Sequence, residues 1–175
     1  MNTKSLVLSA MLLGVGTVLY LVIPGINGGM KPDFLLTMMF IAILLTPTIK
    51  NTVVVGLATG ILSGLFSTFP AGFIPNVIDK AITAFVFFVV IIALKSLATK
   101  LVIQAIVTAA GTALSGAIFL TSAIFIMGAE VPFGELYLLV VLPTIALNTI
   151  ALVIIYPIVQ QTLKRTSFNT ALANS

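Results

Sequence analysis

The chain has 175 residues, of which 60% are hydrophobic and 7% are charged, and it contains neither Cys nor His. This composition excludes an ordinary soluble domain, and the missing Cys and His exclude disulfides, thiol chemistry and zinc sites built from those ligands. The basic residues behind the net charge of +4 stand singly in loops, without the basic stripe of a nucleic-acid-binding surface, so no nucleic-acid partner is predicted.

Apolar runs divide the chain into six predicted transmembrane helices. The first run is longer than the apolar stretch of a signal peptide, and no cleavage-site motif follows it. It is therefore predicted to be a transmembrane helix and not a signal peptide. After a Gly-rich connection, Pro32 and Asp33 predict a helix start with Pro at its first position. The least marked boundary lies between Lys95 and Lys100, where neither Gly nor Pro occurs. The predicted helices occupy about residues 5–23, 33–49, 52–69, 76–97, 100–127 and 135–163 of a single transmembrane domain, 1–175.

The ionisable residues lie at the ends of these helices and divide unequally between the two membrane faces. With alternating connections, one face receives only basic residues and the other receives all four acids. An excess of Lys and Arg in short loops marks the cytoplasmic side, so both termini are predicted to be cytoplasmic. The basic face contains Lys4, Lys50, Lys95, Lys100, Lys164 and Arg165, and the outer face contains Asp33, Asp79, Glu130, Glu135, Lys31 and Lys80.

Three outer acids, Asp33, Asp79 and Glu135, fall in the predicted first turns of helices that begin at the outer face. The helix dipole favours carboxylates there by about 0.3–1 kcal/mol each, so helix capping alone accounts for them. Asn76 followed by Asp79 resembles a capping box with Asp in place of Glu. The alternative interpretation is that these acids share a pocket with the two outer lysines and bind a zwitterion.

Small residues repeat at four-residue spacing in three of the predicted helices, and in the fifth the mild pair is Thr112 and Gly116. Gly56, Gly60 and Gly64 predict close packing of the third helix against another helix of the same chain. Ala10 and Gly14 form a milder pair in the first helix, for which internal packing and contact with another protein both remain open.

Polar residues at membrane depth are few, and Gln104, Ser115 and Asn148 are among them. Asn148 follows Pro143, so it either bonds a helix carbonyl that the proline leaves free or contacts a ligand. The absence of an ionisable residue at a predicted span centre disfavours a proton-coupled carrier. No P-loop motif and no supported nucleophile–base pair occur, so no enzyme activity, cofactor or metal site is predicted.

The segments Gly28-Gly29-Met30-Lys31-Pro32-Asp33 and TFPAGFIPNVIDK, from Thr68 to Lys80, resemble loops of bacterial tryptophan-transport membrane proteins of the TrpP type. These proteins are grouped with S components, the substrate-binding subunits of energy-coupling factor (ECF) transporters. The resemblance extends over the full length and implies an all-α, S-component-like bundle in the bacterial cell membrane. It also implies two kinds of partner: a transmembrane coupling subunit that contacts the first helix, here at Ala10 and Gly14, and ATPase subunits that power release.

The resemblance makes tryptophan or a related indole compound the expected ligand, bound near the outer face. Its ammonium is expected at Asp33 or Asp79, and its carboxylate at Lys31, Lys80 or a helix N-terminus. Three phenylalanines beside the charged loops are candidate walls for the indole: Phe34, Phe69 and Phe73. Packing against lipid or in the core would also explain a phenylalanine at each of these positions. The predicted substrate-binding residues are Lys31, Asp33, Phe34, Phe73, Asn76, Asp79, Lys80 and Asn148.

Two other functions compete with this hypothesis. An autonomous secondary carrier, for example one coupled to Na⁺, would need no ATPase partner. A membrane scaffold or assembly factor would bind no small molecule at all.

Overall fold

The computed structural model describes residues 3–23 and 32–165, and all regular structure in these two ranges is helical. The predicted all-α membrane bundle of six helices is confirmed. A 3₁₀ turn, Lys95–Thr99, separates the fourth and fifth helices, so the predicted break between Lys95 and Lys100 is also confirmed. The helices are α1 (Thr3–Val22), α2 (Phe34–Leu45), α3 (Ile49–Leu65), α4 (Phe73–Leu94), α5 (Leu101–Phe125) and α6 (Phe133–Arg165).

Four of these helices, α1, α4, α5 and α6, are long and apolar enough to cross a bilayer. α2 is much shorter: its 12 residues extend about 18 Å, against a hydrocarbon layer of roughly 30 Å. It ends four residues before the predicted boundary, because Thr46 closes α2 and Thr48 already caps α3 by accepting a hydrogen bond from the Asn51 N–H.

α2 is the centre of the bundle. All twelve of its residues are buried, and it contacts α1, α3, α4, α5 and α6. Phe40 of α2 stacks on Phe87 of α4 with 4.1 Å between the ring centroids. A helix that is apolar on every side is stable only when neighbouring helices surround it, and α2 meets that condition.

The glycine repeat of α3 packs against α4, as predicted. A Cβ atom added at Gly56 would lie 2.8 Å from the Ala84 Cβ, and one added at Gly60 would lie 2.8 Å from the Val77 Cα. The two helix backbones therefore approach as closely as their atoms allow, which gains dispersion contacts that bulkier side chains would prevent.

A polar clamp joins three helix ends at the end of the bundle opposite Asp33 and Asp79. The Asn51 side chain, at the start of α3, donates to the carbonyl groups of Ala42 and Thr46 at the end of α2. The same side chain accepts a hydrogen bond of 2.9 Å from Ser9, near the start of α1. Because the start of α1 meets the end of α2 and the start of α3, the first three helices alternate in direction, as the charge pattern predicts.

Candidate ligand-binding cavity

A cavity of about 280 Å³ lies where the odd-numbered helices end and the even-numbered helices begin. This volume is close to the lower end of the range for pockets that hold small organic molecules. Every helix of the bundle supplies part of the wall: Tyr20 (α1), Leu36 (α2), Ser63 (α3), Asn76 (α4), Ser115 (α5) and Val140 (α6).

The short central helix provides the space for this cavity. α2 has 12 residues against 17 in α3, and a connection of three residues, 46–48, fixes the two helices together at the opposite face. The difference in length therefore falls at the N-terminal end of α2. Asp33 and Leu36, at that end, form part of the cavity lining.

Lys80 links two carboxylates on one side of the cavity. Its Nζ atom lies 2.7 Å from Asp79 Oδ2 and 2.9 Å from Asp33 Oδ2. The same Nζ donates to Ser115 Oγ over 3.2 Å, and that hydroxyl donates to Asp79 Oδ2 over 2.8 Å. The cluster thus joins α4, α5 and the start of α2, and it brings two carboxyl groups together around one amino group.

Asp79 is the structural centre of this cluster. The residue is fully buried, and its second carboxylate oxygen accepts a 2.9 Å hydrogen bond from Thr83. Removing charged groups from water costs several kcal/mol per ion, and only close pairing with additional hydrogen bonds offsets that cost. Lys80, Ser115 and Thr83 together supply those partners, so Asp79 remains inside the membrane bundle as a paired group.

Asp33 faces the cavity and is fixed from two sides. It caps α2, because its Oδ1 accepts a hydrogen bond from the Leu36 N–H at 2.9 Å. Its own backbone N–H donates to Asn148 Oδ1 at 2.8 Å, and Asn148 is fully buried in α6 beside Thr112 of α5. The Asp33 side chain nevertheless keeps 23% of its surface exposed, against 0% for Asp79 and 4% for Lys80.

The remaining walls are aromatic and weakly polar. Phe69 and Phe119 meet edge to face with 5.3 Å between their ring centroids, and both line the cavity. Ser63 also lines it, and within the described ranges its buried hydroxyl has no hydrogen-bond partner. The cavity lining therefore combines two aromatic rings, a free hydroxyl among the described residues and the ionic cluster.

α6 contains a π-helical turn, Tyr137–Val141, where it borders the cavity. Val141 packs directly on Gly116 of α5, and the Tyr137 hydroxyl donates to the Ala113 carbonyl over 3.1 Å. Single π-helical turns within α-helices are rare and concentrate at functional sites, because they redirect the side chains around them. Here the turn places Val140 and Val141 in the cavity wall.

Residues 2–164 match the family described as tryptophan transporter TrpP. The chain is 48% identical over 171 residues to a probable tryptophan transport protein of Bacillus subtilis, covering 98% of this chain and 99% of the relative. It is 38% identical over 175 residues to a probable tryptophan transport protein of Clostridium perfringens, covering 95% of this chain and 96% of that relative. This chain belongs to the TrpP family. No solved structure matches it.

Membership of the TrpP family and the long apolar helices make this chain a multi-pass bacterial membrane protein. The resemblance noted in the loop sequences is confirmed by these relatives, which are named as transport proteins. Three charged residues predicted from sequence as site residues lie together in this TrpP-family chain, where Lys80 contacts both Asp33 and Asp79.

The other predicted site residues have different positions. Lys31 lies outside the described residues. Asn76 lines the cavity, and Asn148 lies behind Asp33 as its hydrogen-bond acceptor. Phe34 is buried and Phe73 is 44% exposed, and the cavity lining includes neither of them.

Three of the local predictions made for the helix starts are wrong. α4 begins at Phe73, so Asn76 is not its cap but lies within the first turn, where its side chain donates to the Gly72 carbonyl. Asp79 is consequently too far along α4 to form a capping box. Pro32 precedes the capping residue Asp33 of α2 and does not occupy the first helical position.

The outer acids also do not all share one pocket. Glu135 lies in the first turn of α6, as predicted, but it is exposed and is not part of the cavity lining. Glu130 is likewise exposed. The predicted zwitterion site therefore reduces to two acids, and these are the two that Lys80 joins.

Sequence reasoning missed the contribution of α5. Ser115 bonds both Lys80 and Asp79, and Phe119 supplies an aromatic wall one turn further along the helix. The available signal was the group of small and hydroxyl residues on one face of α5, Thr108, Thr112 and Ser115 with Gly116, which marks a polar helix face inside a membrane protein.

Proposed function

We propose that this chain is the membrane-embedded substrate-binding subunit of a tryptophan uptake system, energised by a separate ATP-hydrolysing coupling module. The observation that carries the proposal is the Asp33–Lys80–Asp79 cluster beside aromatic walls in one cavity. The relatives named as probable tryptophan transport proteins support the choice of ligand.

Tryptophan fits the chemistry of this cavity. Its indole ring would lie against Phe69, one of the three predicted wall residues, and against Phe119, which would take the role predicted for Phe34 and Phe73. Burying an aromatic group of about 150–250 Å² at roughly 25 cal/mol/Å² gives about 4–6 kcal/mol of gross stabilisation before ordering costs. Asp33 or Asp79 would bind the ammonium, and Lys31, Lys80 or the N-terminus of α2 would bind the carboxylate.

Two buried amides complete this arrangement, one behind Asp33 and one in the cavity wall. Asn148 would fix Asp33 through the Asp33 backbone N–H, so its proposed role is to position the carboxylate that meets the ligand. Asn76 lines the cavity and would contact the ligand directly.

Ligand binding can be measured without labelling the protein, because the chain contains no Trp. The fluorescence of the ligand's own indole then reports its transfer from water into the purified protein, and phenylalanine, tyrosine and histidine serve as competitors. We expect saturable tryptophan binding that Asp33→Asn weakens and Glu135→Gln, which removes an exposed acid outside the cavity, leaves unchanged. Absence of saturable binding would refute the proposal and favour a scaffold without a ligand.

The coupling module is proposed to dock on α1. Ala10 and Gly14 are exposed on this helix, and among the described residues a Cβ added at Gly14 would meet no atom within 4 Å apart from the backbone of its own helix. Small residues on a lipid-facing surface allow the backbone of another membrane helix to approach. A coupling subunit that packs there would transmit the work of ATP hydrolysis to the bundle.

Uptake into proteoliposomes tests the energy source. We expect tryptophan uptake only when the coupling module and ATP are present, and we expect Gly14→Leu to abolish uptake while tryptophan binding persists. Ala93→Leu, which enlarges an exposed small residue of α4, is the matched control. Uptake by this chain alone, driven by an ion gradient, would show a secondary carrier instead.

A further inference from the structure

Within the ionic cluster, the donors of Lys80 are fully used. An ammonium group offers three N–H donors. Three acceptors lie within hydrogen-bond distance of Nζ: Asp33 Oδ2 at 2.9 Å, Asp79 Oδ2 at 2.7 Å and Ser115 Oγ at 3.2 Å. A ligand carboxylate can bind Lys80 only by displacing one of them.

Asp79 is equally unavailable to a ligand. Its side chain has no exposed surface, and its oxygens accept three hydrogen bonds, from Lys80, Ser115 and Thr83. Its role in the cluster is to fix Lys80 at a position from which Nζ also reaches Asp33.

Asp33 alone in the cluster combines unused acceptor capacity with exposure to the cavity. Each carboxylate oxygen has two lone pairs. Oδ1 accepts from the Leu36 N–H and Oδ2 accepts from Lys80, so among the contacts of residues 3–23 and 32–165 each oxygen keeps one lone pair, and 23% of the side chain is exposed. The Asn148 contact with the backbone N–H holds this carboxylate in place before any ligand arrives.

From this accounting we infer that the cavity selects its ligand by a primary ammonium group bound to Asp33, and that Lys80 is not the partner of the ligand's carboxylate. Among the described residues the cluster offers spare acceptors and no spare donors, so it favours a ligand group that donates hydrogen bonds over one that only accepts them. The inference rests on the proposed function, because it takes this cavity as the ligand site, and it narrows the ligand class to aromatic primary amines.

Three indole compounds separate this inference from the proposed function: tryptophan, tryptamine, which lacks the carboxylate, and indole-3-propionate, which lacks the amine. Each is fluorescent, so its affinity for the purified full chain is measured directly. We expect indole-3-propionate to bind about 10- to 100-fold more weakly than tryptamine, the range set by one hydrogen bond to a charged group. In Asp33→Asn the difference should disappear, whereas Glu135→Gln should retain it.

Each outcome of this comparison is decisive. If indole-3-propionate binds as tightly as tryptamine, the inference is overturned, and tryptophan binding would still uphold the proposed function. If tryptamine binds in an Asp33-dependent way and tryptophan does not bind, the inference holds and tryptophan uptake is refuted. If none of the three compounds binds, both are overturned.

Discussion

Replacing Lys80 by Met is the most direct test of the ionic cluster's contribution to stability. The substitution removes the group that lies within 3 Å of both Asp79 and Asp33 while keeping most of the side-chain volume. Asp79 then retains only Ser115 and Thr83 as partners and has no route to water, since its side chain is fully buried. Removing one member of a buried ion pair costs about 3–5 kcal/mol, mainly because the other charge stays buried without compensation.

Unfolding followed by circular dichroism in detergent measures this loss. Lys100→Met is the matched control, because Lys100 is exposed at the start of α5, where such a change alters stability by about 0.5 kcal/mol or less. A second variant, Asp79→Asn combined with Lys80→Met, removes both buried charges, and its amide oxygen accepts from one of the two hydroxyls of Ser115 and Thr83 while its NH2 group donates to the other. We expect it to recover most of the lost stability.

Two results would refute this reasoning. Lys80→Met could prove as stable as Lys100→Met, which would mean that the carboxylates do not depend on Lys80. Alternatively, the double variant could be less stable than Lys80→Met alone, which would place the energetic importance in Asp79 itself and not in the pairing of opposite charges.

Three further variants test separate parts of the structure. Gly60→Ala should destabilise the fold by about 1–3 kcal/mol, because its Cβ would lie 2.8 Å from the backbone of α4. The control Gly14→Ala adds its Cβ in open space and should not lower the unfolding temperature. Equal stability of the two variants would contradict the close-packing argument. Phe119→Ala should weaken tryptophan binding about tenfold. The control is Phe125→Ala, which changes a residue of the same helix that is 82% exposed and should leave binding unchanged. A loss shared by both variants would argue against an aromatic wall at Phe119. Asn148→Ala removes the acceptor of the Asp33 N–H and should lower tryptophan affinity by about tenfold in the same fluorescence titration. An unchanged affinity would contradict the proposed role of Asn148 in positioning Asp33.

The sequence predicts the membrane-spanning architecture because its signals are local. Apolar run length, the distribution of Lys and Arg, and the Gly56–Gly60–Gly64 spacing each depend on a few neighbouring residues. The six helices, the break after Lys95 and the packing of the glycine face are all reproduced in the structure.

The arrangement of the site depends on distant residues, and the sequence gives less information about it. Ser115 lies 36 residues after Asp79, and the contact between them requires the relative rotation and register of α4 and α5. α2 presents apolar side chains on every side, so its hydrophobic pattern gives no indication of which neighbours it has. For the same reason, the sequence did not show that Phe34 would turn away from the cavity while Phe119 would enter it.

The enclosed position of α2 changes what its sequence must satisfy. A lipid-facing helix needs only sufficient hydropathy, whereas α2 has packed protein around all twelve of its side chains and no lipid contact through which to adapt. Its residues are therefore restricted by volume and shape, like those in the interior of a water-soluble enzyme. Exchanging Ala42 for Leu would keep the segment apolar and would still disrupt the protein, so tolerance to mutation along this helix depends on side-chain size as well as on polarity.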